Sequence, residues 1–242
     1  QSWSSEYKNV TPIMVEHGNN YVVGYDLRWW NPDYKENSLR PDKDVFNFKQ
    51  LDLVMNFAQT NKLTIEGQTL LDVLPNTIPP WLRGIQDKTE ILNQGLAHIS
   101  TLVSRYPQVG KWCVASELEN QYTQNFWTQK LGLENISWLK QSFDAAHKAN
   151  SNAKLFYSDF DIEYGGGKAD RLFKIIKELK EAGTPIHEIA FQMHVEGRDF
   201  VDPSARLQKI QVLKAQIERY REIGINVIVP EMDLNMAGIT GD

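Results

Sequence analysis

The sequence predicts an α/β fold of repeated strand–helix units with its chemistry at the C-terminal ends of the strands. Three observations carry this. Segments of helical and strand character alternate along the chain with short connections. Two short, mostly apolar runs, 111–116 and 225–230, are rich in β-branched or aromatic residues, as buried parallel strands should be. Each run is followed at once by a glutamate, Glu117 and Glu231. A carboxylate at the end of a buried strand is expensive unless its charge is compensated or used. Two of them on separate strands of one sheet suggest a convergent pair at the face where α/β barrels keep their chemistry. Such a pair is the minimal apparatus for cleaving a glycosidic bond.

The elements follow in order. Residues 48–60 have helical spacing at Leu51, Val54, Met55 and Ala58, and 61–71 reads as a strand followed by a loop. Residues 91–106 repeat the helical spacing ahead of the Glu117 strand. Residues 135–149 form a helix with apolar positions at Ile136, Leu139, Phe143 and Ala146. A strand at 154–158, a helix at 169–182, a strand at 188–194 and a long helix at 203–223 lead to the Glu231 strand. With no low-complexity segment and no linker, residues 1–242 are read as one catalytic-type barrel domain. Residues 18–43 break the rhythm. They are long, aromatic and charged, and are expected to hold a strand at 21–27. Their aromatics, Tyr21, Tyr25, Trp29, Trp30 and Tyr34, either line a binding cleft or cap the barrel wall.

Bulk properties narrow the function. The net charge of −5 and the absence of a basic run exclude a nucleic-acid partner on electrostatic grounds. The apolar runs fall far short of the roughly 20 residues a membrane span needs. No signal-peptide pattern opens the chain, as expected for a cytosolic protein or one whose leader has been removed. The single cysteine, Cys113, cannot form an intrachain disulfide and reads as a small core residue. His17, His98, His147 and His187 lack metal spacing and read as solvated or capping residues. The run Gly165-Gly-Gly-Lys168 lacks P-loop spacing and reads as a flexible βα loop. Glu119 is expected to face solvent.

The residues around these strands resemble glycoside hydrolase family 10, the endo-β-1,4-xylanases, which are (β/α)8 barrels. The family's Trp-Asp-Val-Val-Asn-Glu is similar to Trp112-Cys-Val-Ala-Ser-Glu117, and its Ile-Thr-Glu-Leu/Met-Asp to Val229-Pro-Glu231-Met-Asp233. Gly-Phe/Leu-Gln-x-His resembles Ala190-Phe-Gln-Met-His194. Leu-Tyr-x-Asn-Asp-Tyr-Asn resembles Leu155-Phe-Tyr-Ser-Asp-Phe-Asp161, and Gly-His-Thr-Leu resembles Gly67-Gln-Thr-Leu70. The motifs run in family order along nearly the whole chain.

The resemblance implies a retaining endo-acting glycoside hydrolase on β-1,4-xylan or a related β-linked polysaccharide. Glu117 would be the general acid/base and Glu231 the nucleophile, with carboxyl groups roughly 5–5.5 Å apart. His194 is the expected hydrogen-bond donor to Glu231. Gln192, Gln68, Ser116 and Trp81 complete the candidate substrate contacts, together with Asp159 and Asp161, which end their strand at the cleft face and either bond substrate hydroxyls, tune Glu117 or cap their loop. Asp233 is expected to be structural. No cofactor and no metal are implied, because carboxylates do the chemistry. Secretion is implied only by the polymeric substrate.

The departures from the pattern are specific. Ser116 stands where the family has the asparagine that bonds the sugar 2-hydroxyl. Gln68 stands for a histidine, and Asp72-Val73 for Trp-His. The family's Glu-Asn-x-x-Lys is expected after Thr11-Pro12, where Ile13–His17 and the aromatic stretch stand instead. Its first strand and helix would precede Gln1 and its eighth strand would follow Asp242. The reading is therefore a barrel apparently lacking its first and last strand–helix units, completed by further chain, by the aromatic stretch or by another chain. Two rivals remain: a carbohydrate-binding barrel with weak or lost catalysis, and a β-glycosidase with a different sugar preference.

Overall fold

The computed structural model describes residues 15, 16, 18–120 and 124–237. Six parallel strands form one sheet in simple sequence order. They are β1 (Asn20–Val23), β2 (Thr64–Gly67), β3 (Lys111–Ser116), β4 (Lys154–Phe160), β5 (Glu188–Glu196) and β6 (Asn226–Asn235). The helices between them are α1 (Lys49–Thr60), α2 (Pro80–Arg83), α3 (Lys88–Arg105), α4 (Phe126–Leu131), α5 (Ile136–Ala149), α6 (Gly167–Glu181) and α7 (Pro203–Glu222). Parallel neighbours joined by helices are the repeat unit of a (β/α)8 barrel. Among the described residues no helix is long and apolar enough to cross a membrane.

The helices form where the sequence supplies both a start and an apolar stripe. Asp87 accepts from the backbone N–H of Thr89 at 2.7 Å and of Glu90 at 3.1 Å and so caps α3. Asp202 caps α7, whose first residue is Pro203. Helix α1 buries Leu51, Val54, Met55 and Ala58, the four positions its spacing predicts. The core between helices and sheet is aromatic, with Trp29, Trp112, Trp127, Tyr157, Phe143 and Phe191 fully buried. Cys113 packs with Phe156, Ala190 and Ile228, and burial pushes its thiol up in pKa, away from thiolate chemistry.

Several expectations are corrected. The strand predicted at 21–27 ends at Val23, and a 3-10 turn at Tyr25–Leu27 follows. The aromatics of this stretch divide: Trp29 is buried and donates its indole N–H to the Leu70 carbonyl at 2.9 Å, while Tyr34 is exposed. His98 is neither solvated nor capping. It faces the core from α3, stacked on Trp29 with ring centroids 3.7 Å apart, and burial holds its pKa well below the usual histidine value. His187 accepts the Leu155 N–H at 3.0 Å, and His17 lies outside the described residues. The glycine run is not a loose loop to its end, because Gly167 and Lys168 already begin α6. Glu119 does not simply face solvent: Arg171 grips its carboxylate through two nitrogens.

The two ends of the sheet differ from the buried strands expected. β6 runs on past Glu231 to Asn235, so this glutamate lies within its strand. No described strand pairs with the far side of β6, and Met232 is consequently 69% exposed.

Candidate active site

Two register shifts set the site. In β3 the pairing with β4 steps from Cys113 to Ala115 while the partner advances one residue, from Phe156 to Tyr157. Such a bulge re-aims the side chains beyond it. Between β5 and β6 the pairing steps from Ala190–Ile228 to Gln192–Glu231, so β6 carries the extra residue beside Pro230. Proline has no N–H to give to the ladder and is tolerated at such a break. The outcome is that Glu231 stands opposite Gln192, at the same end of the sheet as Glu117.

Glu117 follows β3 directly and has φ 49°, in the left-handed region that costs a non-glycine residue energy. Its surroundings fix that conformation. The Glu117 N–H donates to the Ser158 carbonyl at 3.0 Å, and the Leu118 N–H donates to the Tyr157 hydroxyl at 2.8 Å. The Asn125 amide donates to the carbonyls of Ser116 at 3.1 Å and Glu117 at 3.2 Å. Its carbonyl oxygen accepts from the N–H of Trp127 at 2.9 Å and of Thr128 at 3.2 Å, capping α4. One side chain thus ties the Glu117 turn to a helix start. Asn125→Ala should cost roughly 1–2 kcal/mol of stability through the lost cap. It should lower kcat as well, because Glu117 loses a backbone anchor. Thermal denaturation and steady-state kinetics check both, and a variant with wild-type kcat contradicts the anchoring role.

A cavity of about 580 Å³ opens at this end of the sheet, and its lining includes Gln68, Ser116, Glu117, Gln192, His194 and Glu231. The Gln68 amide donates to Glu231 at 2.9 Å across 163 residues of sequence. The expectation that His194 would be that donor is corrected. The His194 Nδ1 pairs instead with Asp233 at 2.5 Å, so the ring is oriented by its neighbour on β6. Partial burial opposes charge on His194. The Asp233 bond and the nearby Glu231 and Glu163 carboxylates outweigh it and raise its pKa above the ordinary value. Ser116 is buried, with its hydroxyl 3.4 Å from that of Thr69.

Three candidate residues do not line this cavity. Trp81 packs half-buried on α2, under the Arg40 guanidinium and with its indole N–H donating to the Arg40 carbonyl at 3.3 Å. Asp159 is buried near the end of β4, where it accepts from Lys168 at 2.6 Å and from the Tyr157 hydroxyl at 2.5 Å. Burial pushes its carboxyl up to about 6 against those donors. Its contact is with the Tyr157 hydroxyl that holds Leu118, so it supports the Glu117 turn through that hydroxyl. Asp161 is exposed at φ 56°, in the loop after β4.

The structure also adds residues that the sequence reading missed. The expected family residues after Thr11-Pro12 fall largely outside the described residues. The cavity wall at the end of β1 is made by Gly24 and Arg28, which that reading did not name, and by Tyr25, one of the aromatics it offered for a cleft, with the guanidinium 4.5 Å from the Tyr25 ring centroid. A Cβ on Gly24 would stand 3.3 Å from the Gln68 carbonyl, so the glycine lets the wall close on the residue that holds Glu231. A strand followed by aromatic and basic residues was the available signal. Asn120, three residues past Glu117, donates to its carboxylate at 2.6 Å. Among the described residues no group of histidine, cysteine, aspartate and glutamate is arranged to hold a metal ion.

Six parallel strands bearing a carboxylate pair at one cavity define a (β/α)8-type barrel with a glycosidase-like site. The chain belongs to glycosyl hydrolase family 10, whose pattern matches residues 30–240. It is 30% identical over 215 residues to endo-1,4-beta-xylanase B of Thermotoga neapolitana, covering 87% of this chain and 56% of that protein. A beta-1,4-xylanase of Dictyoglomus thermophilum is 29% identical over 230 residues, covering 93% of this chain and 59% of that one. The chain therefore spans little more than half the length of these relatives. Xylanase 10B from Thermotoga petrophila, solved with xylobiose, superposes with a TM-score of 0.81 at 27% identity, covering 96% of this chain and 67% of that one.

Proposed function

We propose that the full-length protein is a retaining endo-β-1,4-xylanase in which Glu231 is the nucleophile and Glu117 the general acid/base. The observation that carries the reading is the pair of carboxylates at one cavity, Glu117 directly after β3 and Glu231 in β6. The division of roles follows the resemblance of Trp112–Glu117 and Val229–Asp233 to the family's acid/base and nucleophile motifs. The Gln68 amide, donating at 2.9 Å, fixes the direction of the Glu231 carboxylate. Glu117 faces the same cavity from β3. In the first step a Glu231 oxygen attacks the anomeric carbon while the glycosidic C–O bond breaks and Glu117 gives its proton to the leaving oxygen. In the second, Glu117 takes a proton from water, the water oxygen attacks the same carbon, and Glu231 leaves as carboxylate. Gln192, His194, Ser116, Tyr25 and Arg28 line the space where the sugar would bind. Xylan is the favoured substrate because the similar proteins are xylanases. A polymer of this kind also favours action outside the cell.

The test is hydrolysis of xylan by the full-length protein, with product sizes followed over time and anomeric configuration read by proton NMR. Internal cleavage with retained configuration is expected, and inverted product would overturn the assignment. Glu117→Ala should lose about 10²–10⁴ in rate on substrates with poor leaving groups and much less on activated aryl glycosides. Added azide should partly restore turnover in that variant, because a small anion can attack the intermediate without a general base. Equal losses on both substrate types would remove Glu117 from the acid role.

A further inference from the structure

We propose that Lys168, Asp159 and Tyr157 form a buried positioning chain for Glu117, acting on the peptide that follows it. The inference rests on the reading of Glu117 as acid/base.

The peptide between Glu117 and Leu118 is held at both of its polar groups. Its carbonyl accepts from the Asn125 amide at 3.2 Å, and its N–H donates to the Tyr157 hydroxyl at 2.8 Å. Glu117 stands at φ 49°, a conformation that persists only while its surroundings hold it. A free 117–118 peptide would let the residue relax, and relaxation re-aims the carboxyl group.

A hydroxyl serves the Leu118 N–H well only if its own proton points elsewhere. Asp159 takes that proton's hydrogen bond, with Oδ2 accepting from the Tyr157 hydroxyl at 2.5 Å. An ionised carboxylate can only accept, so this bond has one direction. Tyr157 and Asp159 are buried, and burial alone favours the neutral acid. Lys168 opposes it: its Nζ donates to Asp159 Oδ1 at 2.6 Å and to the Phe160 carbonyl at 2.7 Å. The chain therefore runs from ammonium to carboxylate to hydroxyl to peptide N–H, with each donor direction set by the link before it.

The placement of Lys168 points the same way. It is the second residue of α6, where a cation opposes the helix dipole, and its side chain is only 17% exposed. A surface lysine gains nothing from such a position. Gly165 and Gly166, at φ 80° and 95°, make the left-handed turn that starts α6 where Lys168 reaches back to the end of β4. The glycine run that lacks phosphate-loop spacing thus delivers a lysine to a buried carboxylate.

The test is kcat and KM of the full-length wild type, Tyr157→Phe, Lys168→Met and the double variant on aryl β-xylobiosides with poor and good leaving groups. Tyr157→Phe keeps the ring and removes only the hydroxyl. It should lose about tenfold in kcat on the poor leaving group and less on the good one, with KM little changed. Lys168→Met should show the same pattern at about threefold. Because the two act in series, the double variant should lose no more than Tyr157→Phe alone. If one single variant fails to fold, the leaving-group dependence of the other decides. Losses equal on both leaving groups, losses that multiply in the double variant, or kinetics that superpose on an active wild type overturn this inference and leave the role of Glu117 standing. An inactive wild type overturns both.

Discussion

Glu231→Ala in the full-length protein is expected to lower kcat on xylan by about 10⁴-fold or more, because no covalent intermediate can form. The loss should appear equally on poor and activated leaving groups, which separates it from the Glu117 variant. A mechanism-based 2-fluoro-xyloside should add one sugar mass to the wild type and none to Glu231→Ala in intact-mass spectra. The variant also strips Gln68 of its acceptor at 2.9 Å. It removes one of the carboxylates that raise the His194 pKa, so the His194 titration should fall toward the ordinary histidine value, readable by NMR. The sign follows from linkage. A histidine with a raised folded-state pKa contributes stability that is full below its unfolded pKa and fades as pH rises through the folded one. Glu231→Ala should narrow that window from its alkaline side. A variant that keeps more than about a tenth of wild-type kcat would end the nucleophile assignment.

Glu117 and Glu231 were legible because each closes an apolar run, and strand ends are where barrels present chemistry. The helices were legible for similar reasons, with α1 burying the four residues its spacing marks. What the sequence hid was pairing across the barrel. The Gln68–Glu231 contact joins β2 to β6 over 163 residues, and nothing local marks glutamine rather than His194 as the donor. His194 turned to Asp233 because both follow the β5–β6 register shift in matching positions, a geometry visible only once the strands are paired. Trp81 misled through residue type. An aromatic beside two prolines can stack on a sugar, but the short helix that Pro80 starts turns the ring under Arg40. Asn125 carried a readable signal, since an asparagine ahead of Phe126-Trp127 is a helix cap. That it also clamps the Glu117 turn was not readable. Tyr25 was within reach, as one of the aromatics offered for the cleft, while Arg28 was masked by the apparent length of their loop, which is in fact a strand end and a turn.

The second large effect is expected at Gly67, which has no part in the chemistry. It ends β2 beside Trp112 of β3, its register partner, and a Cβ there would stand 2.2 Å from two atoms of the Trp112 ring. That ring is fully buried, and a close-packed interior offers no path for it to retreat without moving its neighbours. Gly67→Ala should therefore cost about 3 kcal/mol, the upper part of the usual overpacking range. For a chain of this size that corresponds to a Tm lower by roughly 6–12 °C. The backbone has the other way to yield, and the next residue is Gln68. A displacement of about 1 Å there would break the bond to Glu231 and cost on the order of 10²-fold in kcat. The double variant Gly67→Ala/Trp112→Leu separates the two routes. If the ring is the obstacle, the smaller side chain makes room and the double variant is more stable than the two single losses added together. A Tm within about 1 °C of wild type for Gly67→Ala would mean that the ring can move after all, and that the aromatic layer under the cavity does not hold β2 in place.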